Sequence, residues 1–313
     1  VLRYYAVYKD GSRHELKGIF SAVTDCDISV PADSLRIIAE YSRETAVNAY
    51  RISAEYNGQT VFRGIIDSVI SERKGGAETM KICARSMAAL LLDNEAEPLD
   101  YNNPSVELMY RRHLQPFDIS LADGGKNALN GRLRINKGMS HWQVVEWFCM
   151  LEYGCMPKIT ASGTAYFQGL PKDETVSFGD GDGKTGYFSL TERRNPYTLV
   201  SEVRVKTAKN RGYRSVVLNS NPDCASVIKQ RYVDISADNR SSETAYKMIE
   251  YGNRKSYVLQ LQCFGCHIGL LGKRAKVYDS ALGTLGGLCV RGVKFSEDKN
   301  GAVSLITLEK EWS

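Results

Sequence analysis

Cys263, Cys266 and His267 stand in the stretch QLQCFGCHIGL as Cys-x-x-Cys-His. That spacing attaches c-type haem, offers thiolates and an imidazole to a metal, or carries a redox disulfide. Haem attachment needs an exported, oxidising setting. The opening VLRYYAVYKDGSRHELKG does not read as an export signal, because Arg3, Lys9 and Asp10 interrupt it. A zinc site needs a second ligand pair, and neither a further Cys-x-x-Cys nor a His-x-x-x-His follows; Cys149 and Cys155 lie six apart across a helix end. Around the pentapeptide, apolar residues alternate through Val258 or Leu259 and Leu261 until Gly265 and Gly269 break the pattern, which reads as a strand ending in a bulge or turn. The eight cysteines, Cys26, Cys83, Cys149, Cys155, Cys224, Cys263, Cys266 and Cys289, are scattered in apolar settings and read as reduced, small core residues.

GDGDGKTG (179–186) resembles a phosphate loop, but a Walker A motif would place glycine at 178, where Phe178 sits. As a calcium loop it fails at Lys184, which takes the third ligand position. It reads as a polar surface turn. The Lys184-Thr185-Gly186 triplet of serine β-lactamases should follow a Ser-x-x-Lys nucleophile; here SVIK (226–229) comes after it. His14, His113, His141 and His267 are dispersed, and the paired acids Asp25 and Asp27 look like any charged surface. The expectation is no catalytic residue, no cofactor-binding residue, no metal ligand and no cofactor.

The net charge of +5 comes from 41 basic against 36 acidic side chains spread along 313 residues, without the clustered basic face that sequence-specific nucleic-acid binding needs. No segment approaches the ~18–20 unbroken apolar residues of a membrane span. Neither a membrane nor a sequence-specific nucleic-acid partner is therefore expected.

The elements that carry these residues are mostly strands. YRISAEY and TVFRGIIDSVISE flank Asn57-Gly58, a strong hairpin signal, and Lys74-Gly75-Gly76 turns the chain again. Antiparallel hairpins with alternating faces argue for a barrel or sandwich over residues 1–86. Residues 87–170 form a mixed α/β insert. One helix there is capped by Asn103 with Pro104 in its first turn. A second is capped by Ser140, ended by Gly154, and buries Trp142, Val145, Phe148 and Cys149. Trp147 lies about 140° round that helix from Trp142; both are read as core, with exposure of one as the alternative that would mark a protein contact. Strands return over 171–313, with one helix near 241–254 capped by Ser241 or Ser242. A closing hairpin Val290–Leu308 turns at Asn300-Gly301, and alternation assigns Val303 and Leu305 to the core.

Three stretches together resemble a family. VFRGIIDSVISERKGGAETMKICARSMAALLLDNEAEPLDY is similar to the segment by which contractile-tail baseplate hub proteins leave a first barrel and enter an insert. GMSHWQVVEWFCMLEYGCMPKITASGTAYF resembles the helix and small hairpin that follow, and LGTLGGLCVRGVKFSEDKNGAVSLITLEKE the closing hairpin. The family is that of late control protein D-like and XkdQ-like proteins and the hubs of phages Mu and T4. This chain departs from it with Lys294 where histidine is usual, Gly272-Lys273 where Gly-Asp is usual, and a short loop before Gly283. The resemblance implies two antiparallel β-barrel domains flanking an α/β domain. It further implies a homotrimeric, pseudo-sixfold ring in a virion or tailocin baseplate, assembled in the bacterial cytoplasm and joining a hexameric tail tube to a trimeric spike. Its partners would be itself, the tube, the spike and other baseplate proteins. Two alternatives stand beside it: a tail-tip carbohydrate-binding adhesin, and a peptidoglycan hydrolase, for which 313 residues are expected to leave no room for an appended domain after Trp312.

Overall fold

The computed structural model describes residues 2–122, 128–207, 212–226, 229–234 and 243–311. The fold is mainly β with short helices. Two compact units divide the chain. The first takes Val1–Glu174, Phe264–Lys273 and Gly292–Ser304; the second takes Thr175–Cys263, Arg274–Arg291 and Leu305–Ser313.

In the first unit seven strands succeed one another: β1 (Leu2–Tyr8), β2 (Arg13–Glu15), β3 (Ile19–Asp27), β4 (Ser34–Glu40), β5 (Ala49–Tyr56), β6 (Gln59–Lys74) and β7 (Ala77–Ser86). Their antiparallel order is β3-β4-β7-β6-β5-β1-β2, and Gly292–Asp298 pairs along the free side of β3. Period-two patterning puts one face inside: Tyr4 and Ala6, Leu35 and Ile37, Ile52 and Ala54, Ile82 and Ala84 are buried, while Tyr5, Arg36, Ser53 and Cys83 between them are half-buried or exposed. Asn57 and Gly58, and Gly75 and Gly76, have positive φ at the two hairpin turns, as two-residue type I′ connections require. Gly64 is obligatory for a different reason: a Cβ there would lie 2.1 Å from the Arg85 carbonyl oxygen. A short helix, Arg43–Asn48, interrupts the expected run of strands, and the Ser42 hydroxyl caps it by accepting from the Thr45 backbone N–H.

The segment after β7 builds its own core from Met87, Leu91, Met109, Trp142, Val145 and Phe148, among others. Helix His141–Tyr153 follows the sequence expectation: Ser140 and Gln143 form a capping box, and Gly154 closes it at φ 65°. Helix Val106–His113 does not. Its N-cap is Ser105, while Asn103 sits two residues earlier in the left-handed region and accepts from the Gly131 N–H. Asn tolerates both roles, so sequence alone favours the wrong one.

In the second unit Ser189–Arg194 pairs antiparallel with Tyr257–Phe264. A smaller sheet, Ser215–Leu218, Glu202–Lys206 and Gln230–Asp234, packs Val203, Val205 and Val233 with Ala245 and Ile249 of helix Glu243–Ser256. The proposed Ser241 or Ser242 cap and Trp312 lie outside the described residues, as does part of SVIK. Two pairs are parallel where an antiparallel barrel was expected, Thr175–Phe178 with Arg274–Asp279 and Glu202–Lys206 with Gln230–Asp234, and in the mixed insert Thr164–Tyr166 pairs parallel with Ser120–Leu121 beside its expected hairpin to Lys158–Ile159. Their partners are far apart in sequence, so no turn residues announce them. Among the described residues no helix is long and apolar enough to cross a membrane.

The last strand, Gly301–Lys310, reverses one expectation. Ser304, Ile306 and Leu308 are buried, whereas Val303 and Leu305 are only partly so. The core face is the opposite parity to the one alternation suggested.

Candidate functional site

The Cys-x-x-Cys-His stretch is the exit of strand Tyr257–Phe264 into a turn. Cys263 is fully buried, and burial pushes its thiol up to about 11. Cys266 is partly buried and is raised for the same reason. Neutral thiols are poor nucleophiles and poor metal ligands. The His267 Nε2–H donates to the Phe264 carbonyl at 2.9 Å, and its backbone N–H donates to Ser304 Oγ at 3.1 Å. Ser304 in turn donates to the Gly265 carbonyl at 2.7 Å. The imidazole therefore staples a turn. Cys263→Ser should cost about 1–3 kcal/mol, the penalty of a hydroxyl in an apolar site, and Cys266→Ser less. Urea unfolding of the two single variants measures both; equal losses would contradict the difference in burial.

GDGDGKTG is an exposed turn after Thr175–Phe178, with Gly179, Gly181 and Gly183 at positive φ and the Lys184 ammonium 4.4 Å from the Tyr278 ring centre. The next element is the strand Ser189–Arg194, not a helix.

Two histidines that look dispersed in sequence meet in space. His113 Nδ1 and His141 Nδ1 lie 2.9 Å apart, and the Tyr101 hydroxyl is 3.2 Å from His113 Nε2. Burial, then the neighbouring His141 and Arg112, push His113 down to about 3; two neutral rings meet at this distance with one Nδ1–H donating to the other ring's Nδ1 lone pair. The residues come from two helices 28 positions apart, which no spacing rule connects. Among the described residues no three His, Cys, Asp or Glu side chains are placed to hold a metal ion.

A second constellation is also invisible to spacing. Lys158, fully buried, donates all three ammonium protons: to the Asp27 carbonyl (2.8 Å), the Val30 carbonyl (2.9 Å) and Asp33 Oδ1 (2.8 Å). The Asp33 backbone N–H donates to Ser86 Oγ, and Ser86 N–H returns to the Asp33 carbonyl. This ties the β3–β4 turn to the insert's small hairpin. Burial pushes the Asp33 carboxyl up to about 6, against the downward pull of Lys158.

Trp147 is 40% exposed while Trp142 is buried, so the reading of both as core fails for Trp147. Leu151, one turn further on the same helix, and Met156 beyond it are also exposed, giving an apolar face. The β6–β7 hairpin continues past its buried part as a two-stranded ribbon: residues 70–78 are all exposed, with Ile70 among them. A two-stranded ribbon with no core beneath it is only marginally stable on its own in water. None of these features assembles an acid, a base and a nucleophile around a cavity.

No family model and no curated protein matches the chain's sequence. Solved structures are similar to it in fold. A 43 kDa tail protein of prophage MuSo2 from Shewanella oneidensis is similar with a TM-score of 0.76 at 14% identity, covering 99% of this chain and 98% of that one. A tail protein from Neisseria meningitidis MC58 gives 0.74 at 17% identity, over 99% and 96%. An E. coli component of the type VI secretion system, itself structurally similar to T4 bacteriophage tail proteins gp27 and gp5, gives 0.53 at 11% identity, over 95% and 74%. The fold is that of phage tail proteins along essentially its whole length.

Proposed function

We propose that this chain is a structural baseplate hub of a contractile tail, in a phage, a tailocin or a related injection system. The observation that carries the reading is the end-to-end likeness to a prophage tail protein and to a second bacterial tail protein, supported by the likeness to a secretion-system component structurally similar to the T4 gp27 and gp5 proteins. On this reading residues 1–86 and 171–313 are two β-barrel domains, and 87–170 is the α/β insert between them. Three copies would set six such domains round an axis, matching a hexameric tube on one side and a trimeric spike on the other. Its output is binding free energy, and its role is structural, with no chemistry of its own. The Trp147–Leu151 face and the 70–78 ribbon are the surfaces on which neighbouring subunits or baseplate proteins would pack.

Sedimentation velocity of the purified protein, alone and mixed with its tube and spike proteins, tests this. A trimer, or a trimer nucleated by the spike, is expected. A chain that stays monomeric with both present would end the hub reading, and glycan binding by that monomer would favour the tail-tip adhesin. Release of muropeptides from purified cell walls would overturn the structural role in favour of the hydrolase.

A further inference from the structure

A groove of about 790 Å³ runs through the second unit, between helix Glu243–Ser256 and the sheet strands Ser189–Arg194, Tyr257–Phe264 and Gly301–Lys310. Its size is that of a ligand-sized cleft. Val200, Met248 and Val258 give it an apolar floor, and Asn195, Gln260 and Thr307 supply hydrogen-bonding groups suited to a main chain. The helix approaches closely enough to form one wall because Gly252 is bare: a Cβ there would sit 2.7 Å from the Thr198 carbonyl oxygen.

The charge on the walls is one-sided. Arg193, Lys229, Arg231, Lys247 and Lys255 all line the groove, against one carboxylate, Glu309. Glu309 is buried and already over-compensated, with Lys255 Nζ at 2.8 Å, Arg291 Nε at 3.3 Å and Arg254 Nε at 3.9 Å. Arg193, Lys229 and Arg231 make no ion pair among the described residues; Lys229 is held instead by the Tyr197 carbonyl at 2.8 Å, and Arg231 by the Gln230 carbonyl. The excess is felt inside the protein too, where burial and then nearby Arg291 push Arg254 below its ordinary value.

We propose that this groove binds an acidic segment of a partner protein, its carboxylates on the Arg193–Lys229–Arg231–Lys247 wall and its apolar side chains on the Val200–Met248–Val258 floor. A nucleic acid fits less well. It would want successive aromatic platforms, and Tyr251 is the only aromatic residue among those lining the groove. The inference goes beyond the hub reading and does not rest on it, since it concerns charge within one copy of the second unit.

The test is fluorescence anisotropy with a labelled hexapeptide of alternating Glu and Leu. A Lys-Leu peptide, inorganic phosphate and a short single-stranded oligonucleotide serve as comparison arms. Saturable binding of the acidic peptide, weakened by salt, is expected. The double charge reversal Arg231→Glu with Lys247→Glu should weaken it at least tenfold, as should Arg193→Glu, which lies on a different strand and guards against a folding defect in the first variant. Circular dichroism confirms that each variant is folded. No binding by the wild type up to about 1 mM peptide, equal binding of the Lys-Leu peptide, tighter binding of phosphate or oligonucleotide, or an unchanged affinity in both folded variants would each overturn the proposal.

Discussion

Lys158→Met should destabilise the protein by about 3–5 kcal/mol near pH 8, because removing one partner of a buried ion pair strands the other charge. Three acceptors lose their donor at once: the Asp27 and Val30 carbonyls and Asp33 Oδ1. The loss should depend on pH, and its sign follows from Asp33. With a folded value of about 6, above its ordinary 3.8, Asp33 binds its proton more tightly in the native state. Its contribution is therefore fully present below about pH 4 and is lost as pH rises through 6. Lys158 holds that value down, so without its ammonium the window extends upward. The variant should then lose more at pH 8 than at pH 5, where the stranded carboxyl is neutral. Urea denaturation at the two pH values, with unchanged m, measures this. Asp33→Leu added to Lys158→Met should recover part of the loss, the remainder reflecting the two carbonyls that stay without a donor. A penalty under about 1 kcal/mol at pH 8, or one independent of pH, would mean that the pair does not hold the β3–β4 turn to the insert.

That pair marks where reading the sequence runs out. Hairpins at Asn57-Gly58 and Gly75-Gly76 are legible because a positive φ restricts which residues can occupy the turn. The helix from Ser140 to Gly154 is legible because cap, period and stop agree. The short helix after Ser42 lacks an apolar period long enough to detect, and the parallel pairs carry no local signal. Lys158 with Asp33, and His113 with His141, are brought together by tertiary packing across 125 and 28 positions. A lysine between Pro157 and Ile159 reads as solvated until its three acceptors are seen. The Cys-x-x-Cys-His motif illustrates the converse: its spacing is real, but burial of Cys263 and the bond from His267 to Phe264 commit its atoms to folding.

The closing strand provides the sharpest case, because its two parities are nearly balanced. Ser304, Ile306 and Leu308 fall on one face and Val303, Leu305 and Thr307 on the other. Counting apolar residues cannot choose between them. The choice is made by a polar residue that finds partners inside. Ser304 accepts from the His267 N–H and donates to the Gly265 carbonyl, whereas Glu309, on the other parity, is buried in its own ion pairs with Lys255 and Arg291. Buried polar groups with partners cost little, so the face that looks less apolar becomes the inner one. Ile306→Asp should accordingly unfold the second unit's sheet. An unpaired carboxylate at a fully buried position costs several kcal/mol, comparable to the whole stability of a domain. Val303→Asp and Leu305→Asp, on the partly exposed face, should each cost no more than roughly 1–2 kcal/mol. Thermal melts and chymotrypsin resistance of the three variants decide it. The ordering Ile306 far worse than Val303 and Leu305 supports the observed parity, and the reverse ordering would restore the face that alternation first suggested.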